Sequence, residues 1–439
     1  MAISTSPLSS VSFPFVQTFS EESLPQNWRR RLLAWAESFP YAAIYDSCQT
    51  QVDRYGRYDW LMGVAAADAL RLTRWEEWAE APPRWWMGGL PYELKNRFEP
   101  KLHTRIPAYV AWPEVAFFSP QILIERSRVN GGLRVQAETI EGLQAVVGLL
   151  SQSLALPATW EELPALRWQG NFSREGYLAQ VERLRAHIRE GDFYEINLAQ
   201  AFHAEVELPH TAALFERLTA ISPMPFAGYL QFGDHHLICA SPERFLQLNA
   251  GQLCSQPIKG TAPRSADPEQ DAAHRAYLAH SEKEQAENVM IVDLTRHDLH
   301  RSCFTGSVEV PHLFEIQAFP QVYQLVSTIT GRKRSELTAA QVLAQTFPPG
   351  SMTGAPKVMT MTMIDRYEPE GRGLYAGSLG YLTPEGDFDF NVVIRSLIYQ
   401  AAQQRLSYHV GGAITYDSDP EREYEETLTK AAAIRQLFA

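Results

Sequence analysis

The chain has 439 residues, of which 45% are hydrophobic and 21% are charged, and its formal net charge is −12. This composition is typical of a globular protein, and the length predicts two domains or one large one. The negative charge is spread along the chain, and no run of Lys or Arg could follow a phosphate backbone, so we expect no nucleic acid among its partners.

The sequence also carries little sign of export or of a membrane. Residues 1–15 are rich in Ser and Pro and lack the basic and apolar regions of a signal peptide. No stretch approaches the roughly 18 apolar residues of a spanning helix. Cys48, Cys239, Cys254 and Cys303 show no C-x-x-C spacing and are too few for a disulfide framework. We therefore expect a cytoplasmic protein with buried thiols and no membrane partner.

Tryptophan is distributed unevenly along the chain. All ten tryptophans lie between Trp28 and Trp168, and none follows. Together with the connector at 160–164, this asymmetry predicts a boundary near residue 165, with one domain over 1–165 and a second over 166–439.

An amphipathic helix opens the second part of the chain, because Ser173 can cap its start and Gly191 can end it. Its apolar face is formed by Tyr177, Val181, Leu184 and Ile188. β-rich runs follow at 193–199, 226–232, 236–240, 245–248, 375–382, 388–399 and 406–414. Short turns join several of these runs, and helices are interspersed without regular alternation. This order predicts an α+β fold with antiparallel sheets.

A carboxylate falls on the buried side of the next predicted helix, at 281–299. Glu287 shares a stripe with Met290, Ile291 and Leu294. A buried carboxylate needs a cation, hydrogen-bond donors or a metal, or else it takes up a proton. Periodicity alone leaves two interpretations open, an ion pair at the edge of the stripe or a metal ligand.

A second acidic helix is predicted at 420–437. Glu423, Thr427 and Lys430 share one face, and Glu426 lies beside them. Acidic residues in a first turn also offset the helix dipole, and Glu426 with Lys430 is an ordinary pair on a solvated face. The alternative is a site for a hard cation, because magnesium prefers one or two carboxylates together with water and substrate oxygens.

Two glycine-containing segments could hold an anion. Residues 350–357 precede a predicted helical run, so that backbone amides, hydroxyls and Lys357 could form a carboxylate cradle. Their spacing departs from G-x-x-x-x-G-K-[ST] and does not predict nucleotide binding. Gly411 and Gly412 end a strand and precede the acidic helix. Tight chain connections explain both segments equally well.

Seven ordered motifs resemble the chorismate-utilising enzymes, specifically the branch that aminates chorismate to 4-amino-4-deoxychorismate. The motifs are GDFYEINLAQ at 191–200, SPERF at 241–245, PIKGT at 257–261, AEN at 286–288 with DL at 293–294, GAPK at 354–357, IRS at 394–396, and DS at 417–418 with ET at 426–427. The resemblance runs from about residue 171 to the C-terminus, with a looser match at 88–95. It implies antiparallel sheets packed face to face and flanked by helices, with the active site in a cleft of the C-terminal domain.

The resemblance also implies roles for individual residues. Magnesium would be held by Glu287 and Glu423, with Glu426 close by, and would bind the ring carboxylate of chorismate. Glu243 would be the general acid that protonates the departing hydroxyl. The other groups of the substrate would meet Ser351, Tyr375, Arg395, Gly411, Gly412 and Lys430.

Lys259 decides the branch of the family, because the similar anthranilate synthases have Ala at this position of the P-I-x-G-T segment. The resemblance implies that Lys259 attacks ring C2 while the C4 hydroxyl leaves, and that ammonia then displaces the lysine by attacking C4. An attacking lysine must be neutral, so we expect burial or a nearby cation to lower its pKa. Without the resemblance, Lys259 would be interpreted as an exposed turn residue.

Ammonia is expected from a separate glutamine amidotransferase subunit, because the sequence contains no G-x-C-x-G nucleophile segment. The water-adding isochorismate and salicylate synthases are disfavoured, since those relatives carry a lysine base where this chain has Glu195. An anthranilate synthase component I remains an alternative.

Three positions depart from the family pattern. Gln324 replaces a histidine that contacts the substrate ring in many relatives, and glutamine cannot shuttle a proton. Ala413 replaces a small glycine, and His297 replaces a common asparagine. Gln324 and Ala413, with an N-terminal domain that in relatives can bind tryptophan, leave open a catalytically silent protein that binds chorismate or tryptophan.

Overall fold

The computed structural model describes residues 13–50, 53–104, 106–129, 131–151 and 163–439. Most of the segment at 1–15 and of the connector at 160–164 lies outside these ranges. Within them, no helix combines the length and the apolar character that crossing a membrane requires.

The strands and helices are numbered in chain order. The first part of the chain contains β1 (Phe15–Phe19), α1 (Trp28–Ala36), β2 (Tyr41–Asp46), β3 (Tyr58–Ala65), β4 (Arg71–Leu72), α2 (Trp75–Ala79), β5 (Trp86–Leu90), α3 (Lys95–Phe98), β6 (Ala116–Phe118), β7 (Ile122–Ser127), β8 (Leu133–Ala137) and α4 (Ile140–Ser151). The second part contains β9 (Gln169–Gly170), α5 (Arg174–Glu190), β10 (Glu195–Glu205), α6 (Thr211–Ile221), β11 (Phe226–Phe232), β12 (His235–Ser241), β13 (Arg244–Asn249), β14 (Gln252–Gln256), β15 (Ile258–Pro263), α7 (Pro268–His280), α8 (Glu282–His300), β16 (Glu309–Ala318), β17 (Val322–Arg332), α9 (Ala339–Thr346), β18 (Gly354–Ala355), α10 (Lys357–Tyr367), β19 (Ser378–Leu382), β20 (Phe388–Asn391), β21 (Ser396–Gln400), β22 (Arg405–Ile414), α11 (Pro420–Lys430) and α12 (Ala432–Leu437).

Two large antiparallel sheets organise the molecule. The first, of 12 strands, has the order β1-β8-β7-β3-β2-β11-β12-β21-β22-β10-β18, and β9 pairs with β10. The second, of 10 strands, has the order β15-β17-β14-β13-β20-β19-β5-β6-β4, and β16 pairs with β17. The predicted α+β fold with antiparallel sheets and flanking helices is confirmed.

The apolar side chains of the first sheet alternate between two cores, as a two-residue strand period requires. On β12, Leu237 and Cys239 join the core shared with the second sheet, whereas Ile238 and Ala240 join a core on the other face. That other core is covered by helices α1, α4, α6 and α12. The sheets are therefore stacked face to face, with a helical layer on the outside of the first.

The two parts of the chain share both sheets. In the first sheet β2 pairs with β11, and in the second β5 pairs with β19. The boundary near residue 165 stays a prediction about the chain's organisation, and the strands on either side of it are hydrogen-bonded into common sheets.

Local signals located several elements correctly. Ser173 caps α5 by accepting a hydrogen bond from the backbone of Gly176, and Gly191 ends the helix in the left-handed conformation with φ of 86°. Ser281 caps α8 in the same way, by accepting from Glu284.

Two predicted elements are interrupted. The β-rich run at 388–399 is divided into β20 and β21, because Arg395 between them adopts a left-handed conformation with φ of 53°. The helix predicted at 420–437 ends at Lys430, and a separate helix starts at Ala432. Both breaks lie beside the cavity described next.

Candidate active site

A cavity of about 390 Å³ lies where the end of the first sheet meets the second. Strands β10 and β22 supply residues of one wall and β15 and β17 residues of another, while α8 and α11 contribute charged side chains. The predicted site residues that line it are Glu243, Lys259, Glu287, Gln324, Ser351, Tyr375, Arg395, Gly411, Glu423, Glu426 and Lys430. Residues far apart in the sequence therefore face one space.

Gly412 is the predicted site residue that does not line the cavity. A Cβ at Gly412 would lie 3.2 Å from Glu423 Oε2, so this glycine leaves room for the carboxylate. Its neighbour Gly411 does line the cavity, and the carbonyl of Gly411 accepts a hydrogen bond from Lys430 Nζ at 3.0 Å. The predicted contact between Gly412 and a substrate stays a prediction.

Glu243 is a buried carboxyl held by one side-chain hydrogen bond. It lies between β12 and β13, and Ser351 Oγ donates to its Oε1 at 2.6 Å. Burial raises the pKa of Glu243 to about 7, although the Ser351 hydrogen bond and the charge of Lys259 act in the opposite direction. A carboxyl with such a pKa can donate a proton near neutral pH.

Lys259 lies on β15 and contacts a carboxylate that sequence reasoning left without a role here. Its Nζ is 2.5 Å from Glu195 Oε1 on β10. Burial lowers the pKa of Lys259, but the nearby carboxylates, chiefly Glu195 and Glu287, outweigh that effect and raise the pKa above its ordinary value. The chain's own groups therefore favour the ammonium form, whereas a lowered pKa was expected.

Two glutamates face the cavity from different helices. Burial raises the pKa of Glu287 on α8 to about 7. Burial also raises the pKa of Glu423 on α11, although Ser418 Oγ donates to Glu423 Oε1 at 2.7 Å and lowers it in part. Lys283 Nζ lies 3.7 Å from Glu287 Oε1, too far for a hydrogen bond. Both carboxylates therefore lack full charge compensation.

Glu426 differs from these two because it already has a close partner. Lys430 Nζ lies 2.6 Å from Glu426 Oε1 and lowers the pKa of that carboxyl. Glu426 and Lys430 thus form the ordinary ion pair on a helix face that was one of the two interpretations of this segment. Glu287 and Glu423 are the better candidates for metal ligands.

The donor set of Glu287 and Glu423 fits a magnesium ion. Magnesium favours oxygen ligands and usually binds one or two carboxylates together with waters and substrate oxygens. A divalent cation between these glutamates would also offset the repulsion and burial that raise their pKa values. Ser418, which donates to Glu423, would orient that ligand from behind.

Another group of possible metal ligands lies outside the cavity lining. It consists of His187, Glu190 and Asp192, at the junction of α5 and β10. His187 Nδ1 lies 2.7 Å from Asp192 Oδ2, and His187 Nε2 lies 2.7 Å from the hydroxyl of Tyr367. Because both ring nitrogens have partners, this group is explained as a structural contact.

Arg395 brings a positive charge to the cavity. Its guanidinium forms no ion pair with any carboxylate in the part of the chain that the structure describes. One of its nitrogens contacts Met224 Sδ at 3.8 Å. Burial lowers the pKa of Arg395 to about 10. A buried guanidinium without an internal counter-ion is suited to an anionic group of a ligand, which it can bind with two parallel hydrogen bonds.

Tyr375 and His409 form one side of the cavity. Their rings are stacked with centroids 5.0 Å apart and an interplanar angle of 14°. Burial lowers the pKa of His409 to about 3, so this histidine is neutral at physiological pH. Sequence reasoning missed His409, although it lies two residues before Gly411 on β22 and therefore on the same face of the strand.

Gln324 is almost completely buried, with 2% of its surface exposed. It lies on β17 opposite Thr261 of β15, in the cavity wall. Its Oε1 has no hydrogen-bond partner among the described residues. An unpaired buried acceptor is unfavourable in the free protein and is available to a donor on a ligand.

The loop that carries Ser351 is anchored through a buried ion pair. Arg372 binds Glu368 and donates to the carbonyls of Met352 at 2.7 Å and Asn197 at 3.0 Å. Gly354 allows the loop to approach β10 closely, because a Cβ there would lie 2.1 Å from the carbonyl of Glu195. These contacts hold Ser351 next to Glu243.

Lys357 does not take part in the predicted carboxylate cradle. Its Nζ binds Asp298 at 2.8 Å and the carbonyl of Thr346 at 2.6 Å, and it is not in the cavity lining. The helix also begins only at Lys357, after the single turn at Gly350–Met352. Of the groups predicted for this cradle, Ser351 reaches the cavity.

Other lining residues were not predicted as part of the site. On α8, Lys283 and Glu284 lie one turn before Glu287, and this i, i+3 and i+4 spacing could have identified them. Asn197 also lines the cavity, whereas Glu195 lies outside the lining and contacts Lys259. Both residues lie in a strand whose pairing partners are distant in sequence, so no local signal indicated their position.

The sequence is similar to those of known proteins that form one family. Residues 25–436 match the family model described as chorismate binding enzyme. Aminodeoxychorismate synthase component 1 of Klebsiella aerogenes is 39% identical over 79% of this chain and 76% of its own length. Aminodeoxychorismate synthase of Streptomyces griseus is 39% identical over 80% of this chain, which spans 50% of that longer protein.

A solved structure is similar as well. The crystal structure of anthranilate synthase component I from Streptococcus pneumoniae TIGR4 aligns with a TM-score of 0.71 and 31% identity, covering 80% of each chain. The family model covers more than half of the chain, and the Klebsiella relative is matched over most of its length. The chain belongs to the chorismate binding enzyme family.

Proposed function

We propose that this chain converts chorismate and ammonia to 4-amino-4-deoxychorismate and water, the amination that leads to p-aminobenzoate and folate. The observation that carries the proposal is Lys259 in the wall of a cavity that also holds a buried acid, Glu243. The Klebsiella and Streptomyces relatives, an aminodeoxychorismate synthase component 1 and an aminodeoxychorismate synthase, support the same reaction.

The charges around the cavity suit a dicarboxylate such as chorismate. Arg395 offers one carboxylate a guanidinium that forms no ion pair with the residues that the structure describes. Glu287 and Glu423 would hold Mg²⁺, which supplies positive charge for the ring carboxylate. Tyr375 and Lys430 line the same space and can donate to the remaining oxygens.

The first chemical step forms a covalent adduct. The neutral amine of Lys259 attacks ring C2, both conjugated ring double bonds shift towards C4, and the bond between C4 and its hydroxyl oxygen breaks. Glu243 gives its proton to that oxygen, which leaves as water. The raised pKa of Glu243 supports this role, because the carboxyl is protonated over part of the neutral range.

The second step replaces the lysine with ammonia. Ammonia attacks C4, both ring double bonds shift back, and the bond between C2 and the lysine nitrogen breaks. The new amine on C4 gives a proton to the Glu243 carboxylate and restores the acid for the next turnover. Chorismate and ammonia thus yield the aminated product and one water.

Ammonia is proposed to come from a glutamine amidotransferase partner. The name of the Klebsiella relative, component 1, indicates that the relative acts with a further component. With such a partner the overall reaction transfers an amino group from glutamine to chorismate. With ammonium salt alone the chain is expected to remain active.

A product assay tests the proposal. Purified protein is incubated with chorismate, Mg²⁺ and an ammonium salt, and the products are identified by chromatography with mass spectrometry. We expect 4-amino-4-deoxychorismate from the wild type and none from Lys259→Ala. Anthranilate or isochorismate as the sole product, or unchanged chorismate, would contradict the proposed reaction.

A further inference from the structure

Lys259 poses a chemical problem in its observed surroundings. Its amine must be neutral to attack C2, yet the surrounding carboxylates favour the ammonium form. A proton must therefore leave Lys259 before attack, and a group in contact with Nζ must accept it. After the second step has expelled the lysine as a neutral amine, a proton must return to it to restore the starting ammonium.

Glu195 is the carboxylate placed to accept this proton. Among the described residues it is the one acidic side chain within 4.0 Å of Lys259 Nζ, and its Oε1 lies 2.5 Å away. Only 1% of its surface is exposed, so bulk water does not compete for the proton. Its second oxygen, Oε2, has no hydrogen-bond partner in the described part of the chain.

The backbone holds Glu195 firmly in this position. Glu195 is the first residue of β10, where it pairs with Ala355 of β18, and its other neighbours in β10 pair with β22. The amide of Tyr194 donates to the carbonyl of Ala355 at 2.8 Å. Pairing of β18 at Glu195 and of β22 from Ile196 onward holds the backbone that carries this carboxylate during proton transfer.

We infer that Glu195 is the general base of the reaction, which takes the proton from the Lys259 ammonium before attack on C2 and returns it when ammonia expels the lysine. This inference rests on the proposed function, because it assumes that Lys259 is the nucleophile. It gives Glu195 and Glu243 separate tasks, with Glu195 serving the lysine nitrogen and Glu243 serving the C4 substituent.

The protons balance over one turnover. The Lys259 ammonium gives a proton to the Glu195 carboxylate, and the neutral amine attacks C2 to give a secondary ammonium. When the bond between C2 and nitrogen breaks, the lysine leaves as a neutral amine and recovers its proton from the Glu195 carboxylic acid. Glu195 and Lys259 thus return to their starting forms.

The other carboxylates near Lys259 are less suitable as the base. Glu243 must be protonated when the hydroxyl leaves, so it cannot accept a proton at the same stage. Glu287 lies beyond 4.0 Å from Lys259 Nζ and is a candidate magnesium ligand. Glu195 is assigned neither to protonate the leaving hydroxyl nor to bind magnesium.

The variant Glu195→Gln tests whether Glu195 acts as a base or only as an ion-pair partner of Lys259. The two roles predict opposite changes in the rate of adduct formation. Glutamine keeps the shape and can still accept a hydrogen bond, but it cannot take up a proton. If Glu195 were only a partner, removing its charge would lower the pKa of Lys259, increase the neutral fraction and speed adduct formation. If Glu195 is the base, adduct formation slows by about 100-fold or more.

The rate of adduct formation is measured by rapid quench of protein with chorismate and Mg²⁺, without ammonia, followed by intact-protein mass spectrometry. Chorismate binding by calorimetry and thermal unfolding are measured on the same samples. Glu195→Asp keeps the acid and is expected to recover part of the rate. Glu282→Gln, an exposed change in the first turn of α8, is the control for a lost surface charge.

Slow adduct formation in Glu195→Gln, with chorismate binding and stability retained, would support the inference. An unchanged or faster rate would overturn it and leave the amination reaction intact. If Glu195→Gln fails to fold, recovery of the rate in Glu195→Asp supports the base, and an Asp variant that is folded but as slow as Lys259→Ala contradicts it. A wild type that aminates chorismate without any adduct would instead overturn the role of Lys259.

Discussion

Ser351 Oγ lies 2.6 Å from Glu243 Oε1 and donates a hydrogen bond to that carboxyl. The hydrogen bond favours the ionised form of Glu243 and opposes the burial that raises its pKa to about 7. Ser351 therefore sets the pH range in which the proposed general acid carries its proton.

Ser351→Ala should shift the pH profile of chorismate amination. Loss of the hydrogen bond raises the pKa of Glu243 further, so the acid stays protonated at higher pH. Activity that depends on a protonated Glu243 falls as pH rises through its pKa, and this alkaline limb should move to higher pH in the variant. The measurement is kcat/KM for chorismate over a pH series with saturating ammonia. An alkaline limb at the same pH in both proteins would exclude Glu243 as its origin.

Arg395 is expected to bind a carboxylate of chorismate rather than to take part in proton transfer. Arg395→Met should weaken chorismate binding by about 30-fold or more, as expected when one partner of a buried charge pair is removed, at about 2 kcal/mol or more. Calorimetric titration of chorismate in the presence of Mg²⁺ measures this loss. Arg395→Lys is the matched control, since it keeps the charge and loses the two-pronged hydrogen bond. Equal binding in all three proteins would remove Arg395 from the substrate site.

Magnesium binding should release protons at slightly acidic pH. Because the pKa of Glu287 is raised to about 7, the free protein holds a proton there below neutrality, and Mg²⁺ must displace it. The apparent Mg²⁺ affinity should therefore fall by about tenfold per pH unit below about pH 7. Calorimetry in buffers of different ionisation enthalpy counts the released protons. Glu287→Gln should abolish the release, whereas Glu282→Gln on the same helix should keep it.

Gln324 is expected to lower the stability of the free protein and to strengthen its binding of chorismate. Its Oε1 is buried without a partner in the described residues, and such an acceptor is unfavourable by about 1–3 kcal/mol. Gln324→Met removes the acceptor at similar length, so the free energy of unfolding should rise by about 1 kcal/mol while chorismate binding weakens. Urea denaturation and calorimetry measure the two quantities. A variant that loses stability and keeps its affinity would contradict this account.

The ion pair of Arg372 and Glu368 should contribute strongly to the integrity of the site. Arg372→Met leaves Glu368 buried without its counter-charge, although the amide of Ala199 still donates to it, and should lower the free energy of unfolding by about 3–5 kcal/mol. The double variant with Glu368→Leu removes both charges and should be less destabilised than the single variant. Denaturant unfolding of the wild type, the two single variants Arg372→Met and Glu368→Leu, and the double variant provides the comparison. A double variant that loses the sum of both single effects would show that the two residues act independently.

Local sequence signals were sufficient for the helices that position the site. Capping residues and apolar spacing located α5 and α8, and the same spacing put Glu287 on the cavity side of its helix. The motifs shared with chorismate-utilising enzymes identified Lys259, Glu243 and Arg395, which the fold brings into one cavity. These signals depend on residues close together in the chain.

The features that sequence reasoning missed depend on distant contacts. Glu195 and Lys259 are 64 residues apart, and their contact exists only because β10 and β15 meet at the cavity. The pairing of β2 with β11 is likewise invisible to local patterns. The left-handed turn at Arg395 was hidden because the three residues before it, at 392–394, are β-branched and favour strands.

The most direct test of the account is to find the lysine adduct itself. Wild-type protein is mixed with chorismate and Mg²⁺ without ammonia, quenched, digested and examined by peptide mass spectrometry. We expect a mass increase equal to chorismate minus one water on the peptide that contains Lys259, and no such peptide from Lys259→Ala. Amination at the wild-type rate by Lys259→Ala, without an adduct in either protein, would contradict the account.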